Sequence, residues 1–268
     1  MSEMKRNYME DIRFFRDRKA FFWFSILMAL LILFPLFIPN YLIGWMNLVM
    51  VNVIVAIGLN LLMGYTGQIS LGHAGFYAIG AYTSSMLASK AGFPFLLSLP
   101  LAGLTASIFG LMLGIPALRL EGPYLAIATL GFGMAVTETI GHWDFFGGRI
   151  GVTTPPMSVG PILLQSDLGK YYLIMVITVL MTMGAINLVK SKIGRAFMAI
   201  RDSDVAAQTI GVNLVIYKTL TFAVSAFYAG LAGGLEAHLT GYITPESYNI
   251  LLSISFLAMV VIGGLGSI

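Results

Sequence analysis

Long uncharged apolar runs, with no alternation of polar and apolar positions, dominate the chain. Residues 20–38, 41–65, 96–118, 171–189, 219–235 and 247–268 each come close to the roughly 20 residues a helix needs to cross a bilayer. Their continuity excludes the strand pattern of a membrane β-barrel. Two further stretches, 68–89 and 122–137, use Gly, Ala, Ser and Thr where the others use Leu. Such segments pack closely inside a bundle or line a route through it, and they are expected to be short or broken. The pattern predicts an all-α, polytopic transmembrane helix bundle of about eight segments, two of them short and Gly-rich. The run at 20–38 follows a basic flank but is too long for a signal-peptide core and has no small-residue cleavage site, so it is read as the first span.

Composition agrees with the pattern. Hydrophobic residues make up 58% of the 268 positions and charged residues 10%, and the mean hydropathy is +0.88, values that no water-soluble core of this size accommodates. A basic tail (1–19) precedes a single membrane domain (20–268). With that tail inside the cell, twelve of the fifteen Lys and Arg residues, among them Arg119, Lys190, Lys192, Arg195, Arg201 and Lys218, fall on the cytoplasmic side. Lys90, Arg149 and Lys170 fall outside, a strong positive-inside bias. The pI near 9.1 follows from this asymmetry, and nothing in the charge pattern calls for nucleic acid. The absence of cysteine excludes disulfides and thiolate metal sites. There is no phosphate-binding glycine loop, so energy from ATP has to be supplied by another chain.

Candidate chemistry is sparse. His73, His142 and His238, with Glu138, Asp144 and Glu236, are the ionisable groups at or near helix ends. They form no metalloprotease, nucleophile-elbow or paired-carboxylate pattern, and the chain reads as a non-enzyme. Glu236 and His238 stand two apart, on different faces of a helix, and the simplest expectation is that they are solvated at the outer interface. The segment GYTGQISLGHAGFYAIGAY (64–82) sets Gln68, Ser70 and His73 among glycines, and 122–136 repeats the theme with Thr129 between small residues. One reading makes Gln68, Ser70, His73 and Thr129 part of a translocation path; the other makes them small-residue packing around a polar turn. The loop 141–170 carries Trp143, Phe145 and Phe146, which suit either an interfacial aromatic belt or a surface for an external partner.

Between residues 190 and 218 a charged island interrupts the apolar runs. Asp202 or Ser203 can cap a short helix that carries Asp204 in its first turn and stops at Gly211. Ser203, Ala206, Ala207 and Ile210 then share a small, mildly apolar face.

Four segments, TGQISLGHAGFYAIGAY (66–82), PALRLEGPYLAIATLGFG (116–133), GRAFMAIRDSDVAAQTIGVNLVIYK (194–218) and SISFLAMVVIGGLGSI (253–268), resemble the LivM-type permeases of branched-chain amino-acid ABC importers. The resemblance runs in order along nearly the whole chain after the first helix. It implies a multi-pass protein of the inner or plasma membrane with a cytoplasmic N-terminus, in contact with membrane lipid. The partners it implies are a LivH-type permease, two cytoplasmic ABC ATPase subunits that carry ATP-Mg, and an extracytoplasmic substrate-binding protein. Members of the same family handle urea or short amides, and a stand-alone secondary transporter is the reading from another class. In this family the segment 190–218 corresponds to the loop that docks on the ATPase, which assigns Arg201, Asp202, Asp204, Ala206, Ala207 and Gly211 to docking. Val205 stands where the family pattern has Glu, so packing has to replace a salt bridge there. Family members run on past the closing GGLGSI stretch, and the chain is expected to be truncated at Ile268.

Overall fold

A computed structural model describes residues 18–117, 120, 122–159, 162–164 and 166–267. The basic tail up to residue 17 and Arg119 lie outside the described residues. Within the described residues ten α-helices follow one another: α1 (Arg18–Leu33), α2 (Asn40–Thr66), α3 (His73–Ser89), α4 (Phe95–Ala117), α5 (Pro123–His142), α6 (Asp167–Lys190), α7 (Lys192–Asp202), α8 (Asp204–Thr209), α9 (Leu214–Thr240) and α10 (Ile250–Gly263). Two-residue strands complete the fold. β1 (Val152–Thr153) pairs antiparallel with β4 (Tyr242–Ile243), and β2 (Ser158–Val159) with β3 (Ile162–Leu163).

The all-α bundle agrees with the apolar runs, but its spans are unequal. Among the described residues five helices, α2, α4, α5, α6 and α9, are long and apolar enough to cross a membrane. α1, α3 and α10 are shorter, so helix length does not support the expected eight. The stretch 68–89 becomes helical only at His73, and the helix expected over 219–235 runs over Leu214–Thr240.

Local chemistry sets the ends. α2 stops at Gly67 in the left-handed region (φ 69°), with the Gly67 and Gln68 N–H groups turned back to the carbonyls of Met63 and Leu62. A left-handed glycine just past the last turn lets the chain satisfy carbonyls that the helix leaves without partners. Ser166, Ser191, Ser203, Asn213 and Asn249 accept backbone N–H bonds at the starts of α6, α7, α8, α9 and α10, supplying acceptors that a helix start otherwise lacks.

α9 is the axis. Half of its most apolar stretch is buried against 17% for α6, and it packs on α2, α3 and α4. Glycines make these approaches possible. A Cβ on Gly80 of α3 would lie 2.0 Å from the Gly230 carbonyl oxygen of α9, and one on Gly233 would lie 2.0 Å from that of Tyr77. Backbones in contact at this range give dispersion and close packing, the main attraction between helices where lipid is as apolar as the side chains. One end of the bundle carries α7 and α8; the other carries the loop 143–166 and β4.

Gly233→Ala is therefore expected to destabilise the protein by about 1–3 kcal/mol or more, because the clash is with backbone that cannot rotate away. Gly131→Ala, whose Cβ meets nothing within 4 Å, should stay within about 0.5 kcal/mol of the parent. Thermal denaturation of the detergent-purified protein compares the two.

Candidate functional site

Between Gly67 and Gly72 the chain is not helical, yet it lies against α5, α9 and α10. Its polar groups therefore need partners from the protein. Thr129 of α5 accepts the Leu71 N–H (2.9 Å) and donates to the Ala126 carbonyl (2.9 Å). Ser253 of α10 accepts the Ala74 N–H (2.9 Å). Gln68 Nε2 donates to Thr66 Oγ1 (2.9 Å), which donates to the Leu62 carbonyl. Gly72 admits this contact, since a Cβ there would sit 2.0 Å from the Thr129 carbonyl oxygen.

His73, fully buried, begins α3. Its Nε2 lies 2.7 Å from Ser225 Oγ, and its Nδ1 lies 3.0 Å from Ser70 Oγ. Ser225 also donates to the Gly58 carbonyl (2.7 Å). A carbonyl only accepts, so the single Ser225 proton goes to Gly58 and Ser225 must accept from His73 Nε2–H. Nδ1 is then the acceptor for the Ser70 hydroxyl. The four groups form one directed chain, Ser70 to His73 to Ser225 to Gly58, that closes with a neutral imidazole. Gln68, Ser70, His73 and Thr129 are thus brought together as buried, hydrogen-bonded partners around the break between α2 and α3.

Beside this break a cleft of about 200 Å³ opens between α3, α5 and α10. Leu71, Ala74, Leu130 and Met134 give it apolar walls, with Thr137, Glu138, Tyr248 and Ser253 as polar points.

At the other candidate, α8 forms where capping logic places it. The Ser203 hydroxyl accepts the Ala206 N–H at 3.3 Å, and the turn that follows ends at Gly211 with φ 87°. Asp204 sits in the first turn and pairs with Lys218 of α9. Ala207 is 1% exposed and faces the protein's own bundle, so it does not share an outward face with Ser203, Ala206 and Ile210 as the sequence suggested. Val205 and Ile210, each 73% exposed, are the apolar groups that α8 presents outward. Asp202 is exposed. Arg201 Nη1 donates to the Gly64 carbonyl in the last turn of α2 (2.7 Å), where orphan carbonyls favour a cation.

The two candidate regions meet. A pocket of about 400 Å³ at the α7–α8 end is lined by Thr66 and Gln68 from the break and by Arg201, Ser203, Asp204 and Lys218 from the charged island. The helix α7 went unseen in the sequence, although Ala196, Phe197 and Ile200 mark a buried helical stripe that its amphipathic spacing could have revealed.

The ionisable groups expected at a solvated interface divide in two. His142 and Glu138 are exposed and lie 3.4 Å apart. His238 is 2% exposed, with Nδ1–H donating to the Pro155 carbonyl (2.8 Å) and Nε2 3.0 Å from Ser84 Oγ. The solvated reading is wrong for it, because the loop 143–166 folds back over the end of α9 and supplies the carbonyl. In that loop Phe146 packs on Tyr82, Lys90 Nζ donates to the Phe145 carbonyl (2.6 Å), and Trp143 stays exposed.

Comparison with known proteins matches residues 41–268 to the family described as branched-chain amino acid transport system / permease component. The high-affinity branched-chain amino acid transport system permease protein LivM of Salmonella typhimurium is 36% identical over 90% of this chain and 63% of its own length. LivM of Escherichia coli K12 is 35% identical with the same coverage. A probable branched-chain amino acid transport permease protein LivH of Methanocaldococcus jannaschii is 27% identical over 80% of this chain and 70% of its own. The chain thus spans 63% of the length of the two LivM proteins, and no solved structure matches it. The family match extends through the break, the cleft-lining helices and the α7–α8 island, and on this ground the chain belongs to the branched-chain amino acid transport permease family.

Proposed function

We propose that this chain is a permease subunit of an ATP-driven importer of branched-chain amino acids, itself without enzymatic activity. The observation that carries the reading is the family match over residues 41–268, joined to a short capped helix whose apolar groups point outward at one end of the bundle. In this reading the chain crosses the inner or plasma membrane about eight times, with the N-terminus and the α7–α8 end in the cytoplasm. The short helices α1, α3 and α10 complete the crossings, α3 together with the non-helical stretch before it. The apolar cleft between α3, α5 and α10 belongs to the translocation path, which a LivH-type partner completes. Gln68, Ser70, His73 and Thr129 hold the wall of that path in shape. Two ATPase subunits, with ATP-Mg, dock on the α7–α8 end, and an extracytoplasmic binding protein meets the loop 143–166.

The geometry supplies a route for coupling. α8 is fixed to α9 by the Asp204–Lys218 pair and to the bundle by Ala207. Arg201 ties the adjoining helix α7 to α2. A push on α8 is therefore passed to α2 and α9, the two helices joined through Gly58 and Ser225 beside His73. Motion of one packed body against another is the usual form of alternating access. Arg201, Asp204 and Ala207 act here by holding the docking helix, and Val205, Ala206 and Ile210 by touching the partner. Gly211 supplies the left-handed turn that ends α8, and Asp202 remains at its exposed entrance.

Three outcomes are expected. Ala207→Leu forces α8 off its seat, so leucine uptake per ATP hydrolysed by the reconstituted importer should fall roughly tenfold, about 1.4 kcal/mol of coupling; an unchanged ratio removes α8 from the coupling route. Because Val205 and Ile210 are apolar, retention of the ATPase subunits on the purified complex should change little between about 0.1 and 1 M salt, where ionic contacts are screened, and Val205→Asp should abolish it. Ser225→Ala strands the His73 Nε2–H and removes the tie to the Gly58 carbonyl, and should destabilise the subunit by about 1–3 kcal/mol, read as a lower melting temperature in detergent.

A further inference from the structure

α10 closes at Gly263, where the Gly264 N–H returns to the Val260 carbonyl (3.0 Å). The chain then turns through Gly264 (φ 103°) and Gly266 (φ 76°), a backbone region that favours glycine. Ser267 stitches this turn to itself, its hydroxyl donating to the Gly264 carbonyl (2.8 Å). The end of α10 thus finds partners among its own neighbours. Asn60 of α2 nevertheless reaches the same turn, 206 positions away in sequence, where its Oδ1 accepts the Gly266 N–H (2.8 Å). Its Nδ2 donates to the Ser267 carbonyl (2.7 Å). One buried side-chain amide therefore holds two consecutive residues of the turn at once.

The turn lands where α7 meets α2. A Cβ on Gly64 would lie 2.3 Å from the Gly266 nitrogen, and one on Gly266 would lie 2.7 Å from Arg201 Nη1. That same Nη1 donates to the Gly64 carbonyl (2.7 Å). Three segments, the last turn of α2, the end of α7 and the turn after α10, are thereby in contact at one point, with no side chain between the two glycine backbones. Polar side chains that bond across spanning helices act as ties, and small residues let the backbones close on them. At its other end α10 carries Ser253, which accepts the Ala74 N–H (2.9 Å) and with Ile250 lines the cleft of about 200 Å³. At about 1.5 Å per residue the 14 residues of α10 extend some 21 Å. A helix of that length, anchored beside Arg201 and ending on the cleft, carries a displacement from the first place to the second.

We infer that Asn60 is a positioning residue for transport: it fastens the turn 264–267 to α2 beside Arg201, so that a displacement of α7 by the ATPase subunits reaches α10 and the cleft wall that α10 forms. This inference rests on the importer reading above and adds a third helix to the route through α2 and α9. Gly64 and Gly266 serve the same tie by admitting the contact, and Arg201 joins it to α7. Asn60 touches no solute in this role; it acts through the turn that it holds.

The test uses the complete importer, this chain with its partner permease, ATPases and binding protein, in proteoliposomes supplied with radiolabelled leucine, and reads leucine taken up per ATP hydrolysed. Asn60→Ala should lower that ratio roughly fivefold, within the range that residues on a coupling route command, while ATP hydrolysis continues. A cap that only stabilises α10 would lower the melting temperature and leave the ratio at its wild-type value, and that outcome overturns the inference. Asn60 and Arg201 act on one tie in series, so the double variant Asn60→Ala, Arg201→Ala should fall within about twofold of the worse single one. Losses that multiply mark independent roles and overturn it as well. Should Asn60→Ala not assemble, Gly266→Ala carries the test, since it keeps Asn60 intact and presses its Cβ on the end of the Arg201 side chain. A lowered ratio in that variant supports the tie, and a wild-type ratio overturns it. A wild-type importer that moves no leucine fails the parent reading, an outcome separate from a defect confined to the variants.

Discussion

Backbone hydrogen bonding at the break between α2 and α3 is the constraint on which the rest of the bundle depends. A non-helical stretch among spanning helices is tolerated only where protein groups replace the missing ladder. Thr129 from α5 and Ser253 from α10 accept N–H bonds there, and Ser225 of α9 receives the imidazole that opens α3. Each donor or acceptor comes from a different helix, so the break fixes how four helices sit around it. Glycine makes the distances attainable: at Gly72 and Gly75 the backbone of α5 lies within 3 Å of where a Cβ would be. Small residues and polar residues therefore serve one purpose, the first allowing approach and the second using it.

The same arrangement explains why the end bearing α7 and α8 can act on the middle of the bundle. α9 begins beside α8 through Lys218, passes Ser225 at the break, and ends at Glu236 and His238 beneath the loop 143–166. At about 1.5 Å per residue its 27 residues extend some 40 Å. A rigid element of that length, held to its neighbours by backbone-to-backbone contacts, transmits displacement with little loss. The pocket shared by Gln68, Arg201 and Asp204 places the start of the break directly against the α7–α8 end.

Much of this was legible in the chain. Continuous apolar runs announced the helices, the glycine-spaced polar residues announced a broken segment, and Ser203, Asp204 and Gly211 announced α8. Other features were hidden because they arise from contacts distant in sequence. Glu236 and His238 ended the predicted span because hydropathy stops at charge, whereas the folded loop supplies the Pro155 carbonyl that lets His238 lie inside. Ala207 was grouped with the outward face because its neighbours are small; only the packing of α8 against the bundle distinguishes it from Ala206. The non-helical chain at 68–72 was read as part of a helix, short or broken, because Gly, Ser and Leu in a membrane give no period that separates a helix from a strand. Leu71 finds its partner 58 residues away at Thr129, and Ala74, at the start of α3, finds its own 179 away at Ser253.

Buried polar groups also decide which helices move together. The chain from Ser70 through His73 and Ser225 to Gly58 is closed: each proton has one acceptor, and sliding α3 against α9 would strand several groups at once in a medium that cannot solvate them. α2, α3 and α9 are thereby held as one body. α5 and α10 contact the rest of the bundle less extensively than α9 does, yet the Thr129 and Ser253 bonds tie both of them to the break. Displacing either helix from that body strands the Leu71 N–H or the Ala74 N–H, so the break resists motion on the α5 and α10 side as well.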